Sequence, residues 1–424
     1  MNALVYYRWV RSQKGFLLRA LSSRRCFSVH SSDESKPKVD QEPHERSYIG
    51  HPFSSLSPLN GKFSSESTSV DLHYTIPQRV RHKVLSATDA VALVRDGDTV
   101  CCSGFVCQGV PEAVLRALGE RYERTGHPHS LSLLFGGGPG DWESRGLDNL
   151  AKIRSSDEEP PMLRRAIGSH FGQVPKLAAL CLQNKVEAWT LPMGSISRMI
   201  RSQSTHSPGY ITTVGLGTYV DPDASGGAAN EAAQQSPLHP KLVTKIDVEG
   251  QTQLMYKSLP VTVAMIRGTT ADTRGNITLE EESLRCDQRI IAAAAANSGG
   301  IVIAQVKRLA ADGSLPATSI AVPGPLVDAV VVVDEKDHDE LHPMSFVEKS
   351  NTSYTGQIRT PQEEIEKMPL DVRKVIARRA FFRLQPDDIV NLGIGLPEGV
   401  ASVAAEEGTC SYRSLDCFFS GPDL

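Results

Sequence analysis

From Val80 onward, short Val/Ile-rich runs closed by glycines alternate with longer stretches whose apolar residues recur every three or four positions. The runs TVCCSGF (residues 99 to 105), SLSLLFGGG (130 to 138), GGIVIAQVKRL (299 to 309) and VDAVVVVD (327 to 334) are apolar at consecutive positions. That pattern predicts strands buried on both faces, as in a parallel sheet. PEAVLRALGERYE and QRIIAAAAANS are rich in good helix formers and predict covering helices. The fold class is therefore α/β.

One unit recurs. KVLSATDAVALVRDGDTVCCSGFVCQGVPEAV (83 to 114) and KVIARRAFFRLQPDDIVNLGIGLPEGV (374 to 400) both open Lys-Val and run through a helical pattern. Each then reaches an acidic turn (Asp98, Asp388), a short strand, a glycine turn and Gly-hydrophobe-Pro-Glu. Glycines let the backbone take positive φ and approach a ligand, and Pro111 and Pro397 suit the first helical position. A helix N-terminus aimed at a ligand would favour negative charge. Only sixteen residues follow Gly408, so the second copy is expected to be cut short.

The first 32 residues differ from the rest, with Arg8, Arg11, Lys14, Arg19, Arg24 and Arg25 among hydrophobic residues and serines, and no acid. They read as a mitochondrial presequence over residues 1–27, cut after Phe27, which predicts a matrix location. Residues 28–79, rich in Ser, Pro, Glu and Lys, are expected to be a disordered arm. A first α/β domain is expected over 80–361, the opening of a second over 362–408, and a divergent tail over 409–424. At 424 residues, 40% apolar and 22% charged, the chain suits two globular domains. Its net charge of −4 gives no footprint for nucleic acid, and no run of apolar residues is long enough to span a bilayer. Eight cysteines include no C-x-x-C pair, so Cys101, Cys102 and Cys107 read as small apolar strand residues and no metal is expected.

The blocks DGDTVCCSGFVCQGVPEAVLRAL, LLFGGGPGDWESRGLDNLA, SHFGQVPKL, VEAWTLPMGSIS, VGLGTYVDP, VAMIRGTTADTRGNIT and NLGIGLPEGVASVAAEEG resemble the family I coenzyme A-transferases, in particular the single-chain acetate/propionate type. The resemblance runs from about Val80 to Gly408. It implies the CoA-transferase fold, two tandem α/β domains of the deaminase/ribose-5-phosphate isomerase kind, the second incomplete here. It also implies an activity. CoA passes from a short-chain acyl-CoA to a free carboxylate through a glutamate that becomes a glutamyl-CoA thioester. CoA is then a substrate, no cofactor is permanently bound, the partners are acyl-CoA and short-chain carboxylic acids, and the full-length form is a homo-oligomer. The site would be dry, with backbone donors aimed at the carbonyl oxygen. Gly393, Ile394 and Gly395 match the family motif beside the site. Gly104, Phe105, Val106, Gln108 and Gly109 match its first-domain counterpart, and His170, Gly194 and Ser195 are candidates for an acid pocket.

The tail departs from the pattern. The family glutamate is expected near Phe418, and no Glu occurs after Glu407. Glu406, Glu407 and Asp416 are poor substitutes. Two alternatives stay open: a non-catalytic CoA- and acid-binding module or subunit that pairs with a glutamate-bearing chain, and a sugar-phosphate isomerase or lactonase on the same fold. Phe135 to Gly140 lacks the Walker lysine and reads as a strand-end ligand loop. His338 and His342, four apart among carboxylates, could hold a metal on a helix, but after a Val-rich strand and before Pro343 they read as a solvated loop.

Overall fold

The computed structural model describes residues 83–154, 160–344, 352, 354–358, 361, 367–385, 388–393 and 395–407, with the backbone of 414–417. These belong to one compact unit, Val70–Leu424; the other, Met1–Ser69, lies outside the described residues. The expected presequence and arm therefore lie outside the description, as do Ile394 and Phe418.

The main sheet has seven parallel strands: β1 (Thr99–Val106), β2 (Leu131–Pro139), β3 (Leu163–Gly168), β4 (Glu187–Thr190), β8 (Val263–Arg267), β11 (Ile301–Val306) and β13 (Ala329–Val332). Their order is β13-β11-β8-β1-β2-β3-β4. Chain order thus runs outward from β1 in one direction and from β8 in the other, and the β1/β8 seam is the switch point at which such sheets bind ligands. An antiparallel sheet of β5 (Gly209–Thr212), β7 (Gln251–Lys257) and β6 (Val243–Val248) is inserted before β8. A small sheet of β9 (Thr270–Asp272), β10 (Ile277–Thr278) and β12 (Arg308–Ala310) flanks the ends of β8 and β11.

Two-residue alternation along the buried strands explains the two-sided core. Cys101, Leu134, Ile167, Ala264 and Val302 face one side, against α4 (Met193–Ser204) and α6 (Gln288–Asn297). Val100, Leu133, Ala166, Val263 and Ile303 face the other, against α1 (Ala87–Val91), α2 (Glu112–Thr125) and α3 (Pro175–Leu182). Each fully buried Leu or Val contributes about 1.5–3 kcal/mol. Two further short α-helices are α5 (Glu231–Gln234) and α7 (His338–Leu341).

The repeated unit is present in both places. The second copy consists of α8 (Val372–Phe381), β14 (Ile389–Leu392), a 3-10 turn at Leu396–Glu398 and α9 (Gly399–Glu406). β14 pairs in parallel with β15 (Ser414–Cys417). Gly109 and Gly395, equivalent in the repeat, both take positive φ, 67° and 90°. The prolines depart from expectation: Pro111 caps α2 rather than opening it, and Pro397 lies in the 3-10 turn before α9. Nor does the start of α2 offer free donors, because Ala113 N–H donates to Gln305 Oε1 (2.8 Å).

Candidate active site

A cleft of about 620 Å³ opens at the carboxyl ends of β1 and β2. Cys102, Gly104 and Phe105 come from β1, Gly136 and Gly137 from β2, and Met193, Ser197 and Ile200 from α4. Leu284 to Asp287 come from the loop that leads into α6 and Ile291 from α6 itself, and Asn391, Leu392 and Gly393 from the second copy. Most of this wall is apolar. Arg285 also lines it, and this residue forms no ion pair with any described residue. Arg285 and Asp287 also border a second groove of about 650 Å³ that includes Arg201 and Arg289.

The β1 turn is closed on itself, with Phe105 N–H donating to Gln108 O (2.9 Å) and Gln108 N–H to Phe105 O (3.0 Å). Gly104 is required by close approach. At φ 123° a Cβ there would lie 2.6 Å from Val110 Cγ2. Val106, β-branched, is held at φ 55°, a strained conformation.

A buried polar network that sequence reasoning missed holds this turn. Arg267 closes β8, its side chain fully buried, and its Nη2 donates to Glu282 Oε2 at 2.8 Å. Arg267 Nη1 donates to Pro343 O (2.7 Å) and Val110 O (3.3 Å). Its backbone N–H donates to Ser103 Oγ (3.2 Å), and that hydroxyl donates to Gly109 O (2.7 Å). Burial alone would raise the Glu282 carboxyl, but the Arg267 charge and the His342 bond outweigh it and hold it at about 2. Burial, then the Arg267 charge, push His342 down to about 4, so it is neutral. Its Nε2–H donates to Glu282 Oε1 (3.1 Å), and its Nδ1 faces the Gln305 amide (3.4 Å). The expectation of a solvated loop at 334–342 holds for the exposed Asp334 to Lys336 and Asp339 and Glu340, but is corrected at its end and in its form, a 3-10 turn followed by the short α7. His342 is buried, and the exposed-metal alternative also fails because His338 Nε2–H is spent on Val333 O and Lys307 O. The signal was an arginine inside the apolar run VAMIRG.

The sequence candidates divide. Gly104, Phe105 and Gly393 line the cleft. Gly109 stands behind it, against Cys286, and Gln108 is buried with Oε1 unpartnered among the described residues. Val106 is in the buried turn core, and Gly395 opens the 3-10 turn, outside the cleft lining. The acid-pocket candidates do not meet there. His170 is exposed on the turn after β3, its Nδ1 accepting from Gly172 N–H (3.3 Å), and Gly194 is exposed. Ser195 is buried and turned toward Tyr256. The reason is helix phase: the LPMGSIS segment opens α4, so Met193, Ser197 and Ile200 face the cleft while Ser195 and Met199 face the core. Neither Glu406 nor Glu407 reaches the cleft. Glu406 accepts from Lys374 Nζ and Met368 N–H, both at 2.6 Å, and Glu407 pairs with Arg378 at 2.9 Å. Cys101 and Cys102 are buried on β1 as read, while Cys107 is buried in the turn just after it; burial pushes the Cys107, Cys181 and Cys286 thiols up to about 12.

Comparison with known proteins supplies a context. The sequence family described as Coenzyme A transferase matches residues 84–333. A caffeate CoA-transferase of Acetobacterium woodii is 38% identical over 77% of this chain and 59% of its own length. The acetate CoA-transferase YdiF of Escherichia coli is 34% identical over 82% of this chain and 62% of its own. The chain thus spans about three-fifths of the length of these relatives. The crystal structure of the Escherichia coli O157:H7 acyl-CoA transferase YdiF superposes with a TM-score of 0.69 at 33% identity, covering 78% of this chain and 61% of that one. A further YdiF structure is a thioester complex with CoA. The mitochondrial expectation is corrected here. Those relatives at 34–38% identity are bacterial, whereas a mouse mitochondrial succinyl-CoA:3-ketoacid coenzyme A transferase matches at only 24%.

Proposed function

Because the chain belongs to the Coenzyme A transferase family, we propose that its cleft holds CoA thioesters and short-chain carboxylic acids of the acetate and propionate kind during transfer of CoA between them. The observation that carries this reading is the cleft itself, an apolar cavity at the sheet's switch point edged by an arginine that forms no ion pair among the described residues. Apolar walls exclude water that would hydrolyse a thioester, and they strengthen any charge interaction inside. Negative charge builds on the thioester oxygen, and the backbone of Gly104, Phe105 and Gly393 borders the space where it would form. Arg285 faces the acid carboxylate or, with Arg201 and Arg289 in the adjoining groove, the phosphates of CoA. Two buried amide atoms without partners among the described residues, Gln108 Oε1 and Gln288 Nε2, stand behind the turn and suit ligand contacts.

The glutamyl route suggested by the resemblance would use a carboxylate that attacks the thioester carbonyl and expels CoA thiolate, leaving an acyl-glutamyl anhydride. The thiolate then attacks the glutamyl carbonyl, releasing the free acid and leaving the glutamyl-CoA thioester that the acceptor acid reopens. Glu406 is tied up in a largely buried ion pair with Lys374 and Glu407 in a more exposed one with Arg378, so we assign binding and orientation to the described residues and the nucleophile to a segment or chain other than these. Homo-oligomer assembly belongs to the same reading, and light scattering on the purified chain tests it.

Calorimetric titration of the chain with CoA and propionyl-CoA tests the binding. Arg285→Met should weaken it roughly 10-fold or more, as loss of a charge-assisted contact implies. Absence of binding by the wild type overturns the reading. Turnover of propionyl-CoA with acetate by the chain alone would leave the binding site standing and sink the assignment of the glutamate elsewhere.

A further inference from the structure

At the opposite, amino-terminal edge of the sheet, the loop before β1 and the loop before β2 bring together Asp96, His127 and His129. Asp96 Oδ2 lies 2.8 Å from His127 Nδ1 and 3.3 Å from His129 Nε2. Asp96 Oδ1 lies 3.1 Å from His127 Nδ1 and accepts His129 N–H at 2.9 Å. The ligand atoms all lie within 4.8 Å of one another. Gly97 N–H donates to His129 O (3.0 Å), so backbone bonds fix the two loops side by side before any ligand arrives. The other nitrogen of His129, Nδ1, lies 3.2 Å from Ser130 Oγ, an outer contact that leaves Nε2 to face the carboxylate.

We propose that Asp96, His127 and His129 form a binding site for a borderline transition-metal dication, of which Zn²⁺ is the type, cross-linking the β1 and β2 loops. Two imidazole nitrogens and one carboxylate oxygen are the donor set such ions take, with water completing a tetrahedron. Bonds of about 2.0–2.2 Å set ligand atoms roughly 3.3–3.6 Å apart in a tetrahedron; the His129 Nε2 to Asp96 Oδ2 distance of 3.3 Å already lies there, and the 2.8 Å contact of His127 Nδ1 has to open by about half an ångström as the ion enters. The rings stand 5.2 Å apart, centroid to centroid, and tilted by 38°. Both side chains are exposed enough to rotate the remaining distance inward. Hard cations such as Mg²⁺ and Ca²⁺, which take all-oxygen sets, fit poorly. Standing at the far edge of the sheet from the cleft, the metal acts on stability rather than turnover.

The test uses the full chain at pH 7.5. Calorimetry should show one Zn²⁺ per chain, Co²⁺ should give the visible d–d bands of a tetrahedral site, and Zn²⁺ at roughly 100-fold excess over its Kd should raise Tm by a few degrees. Mg²⁺ should do neither. His127→Ala, at an exposed position, and His129→Ala, at a half-buried one, should each weaken binding at least about 10-fold and abolish the Tm shift, while the exposed His206→Ala should leave both unchanged. Failure of the wild type to bind Zn²⁺, or full binding by both histidine variants, overturns the proposal.

Discussion

Replacing Glu282 by Gln tests the brace beneath the β1 turn. The Arg267 and Glu282 side chains are 0% and 1% exposed, and the carboxylate accepts from Arg267 Nε at 3.1 Å, from Nη2 at 2.8 Å and from His342 Nε2 at 3.1 Å. At 2.8 Å and an effective dielectric near 20, the pair attracts with about 6 kcal/mol, which offsets a desolvation cost of several kcal/mol for each ion. The amide keeps the shape and removes the charge, leaving a buried guanidinium held only by neutral carbonyls. Such losses cost about 3–5 kcal/mol. Urea unfolding followed by tryptophan fluorescence measures it, and the double variant Arg267→Met/Glu282→Leu should recover most of the loss, because no charge is then stranded. A single variant costing under about 1 kcal/mol, or a double variant costing the sum of the singles, would refute the reasoning.

Further outcomes follow from the same geometry. His342, at about 4 when folded against an ordinary 6.5, is protonated first in the unfolded chain, so its contribution is complete above pH 6.5 and lost between 6.5 and 4, about 3 kcal/mol at most. Glu282, at about 2 against 4.5, loses its contribution between pH 4.5 and 2, and His342→Gln should flatten only the upper part of a stability-versus-pH curve from urea unfolding. Gly104→Ala should cost about 1–3 kcal/mol and weaken CoA binding in calorimetry, since its Cβ would strike Val110 at a φ that alanine avoids. Iodoacetamide at pH 8 should leave the buried Cys101, Cys102, Cys107 and Cys181 unlabelled by peptide mass spectrometry until urea unfolds the chain. Val372 and Val375 are 74% and 59% exposed on α8, so Val372→Lys with Val375→Glu should raise solubility without lowering Tm.

The strands were legible because burial on both faces leaves consecutive apolar residues, and the glycine turns because the positive φ at Gly104 and Gly109 favours glycine. The cleft-facing set on α4 was not legible. A Gly-Ser-Ile-Ser string does not reveal where a helix starts, and Ser195 and Ser197, two positions apart, point about 200° apart around it. The brace was hidden for another reason: Arg267, Glu282 and His342 come from three separate segments, and nothing local in any of them demands the others. The loop pair Asp96 and His127 to His129 joins for the same cause, through β1 and β2 lying side by side.

Strain and brace explain each other. Val106 at positive φ costs on the order of 1–3 kcal/mol and persists only where the surroundings over-determine it. Here the reciprocal Phe105–Gln108 bonds, the Ser103 hydroxyl on Gly109 O and the Arg267 guanidinium on Val110 O fix the turn from three directions. Turning those backbone groups inward leaves Gly104 and the Phe105 ring toward the cleft, so the turn does not have to reorganise when a ligand arrives. The equivalent turn of the second copy has a different support. Among the described residues no charged side chain hydrogen-bonds the backbone of 391–393 or 395, and the anchor there is the small apolar cluster of Ala377, Phe381, Leu392, Val400 and Val403. Among the described residues, a duplicated unit is stiffened by buried charge in one copy and by apolar packing in the other. The cleft wall at Asn391 to Gly393 is therefore the side expected to yield first to denaturant, ahead of the side built on β1.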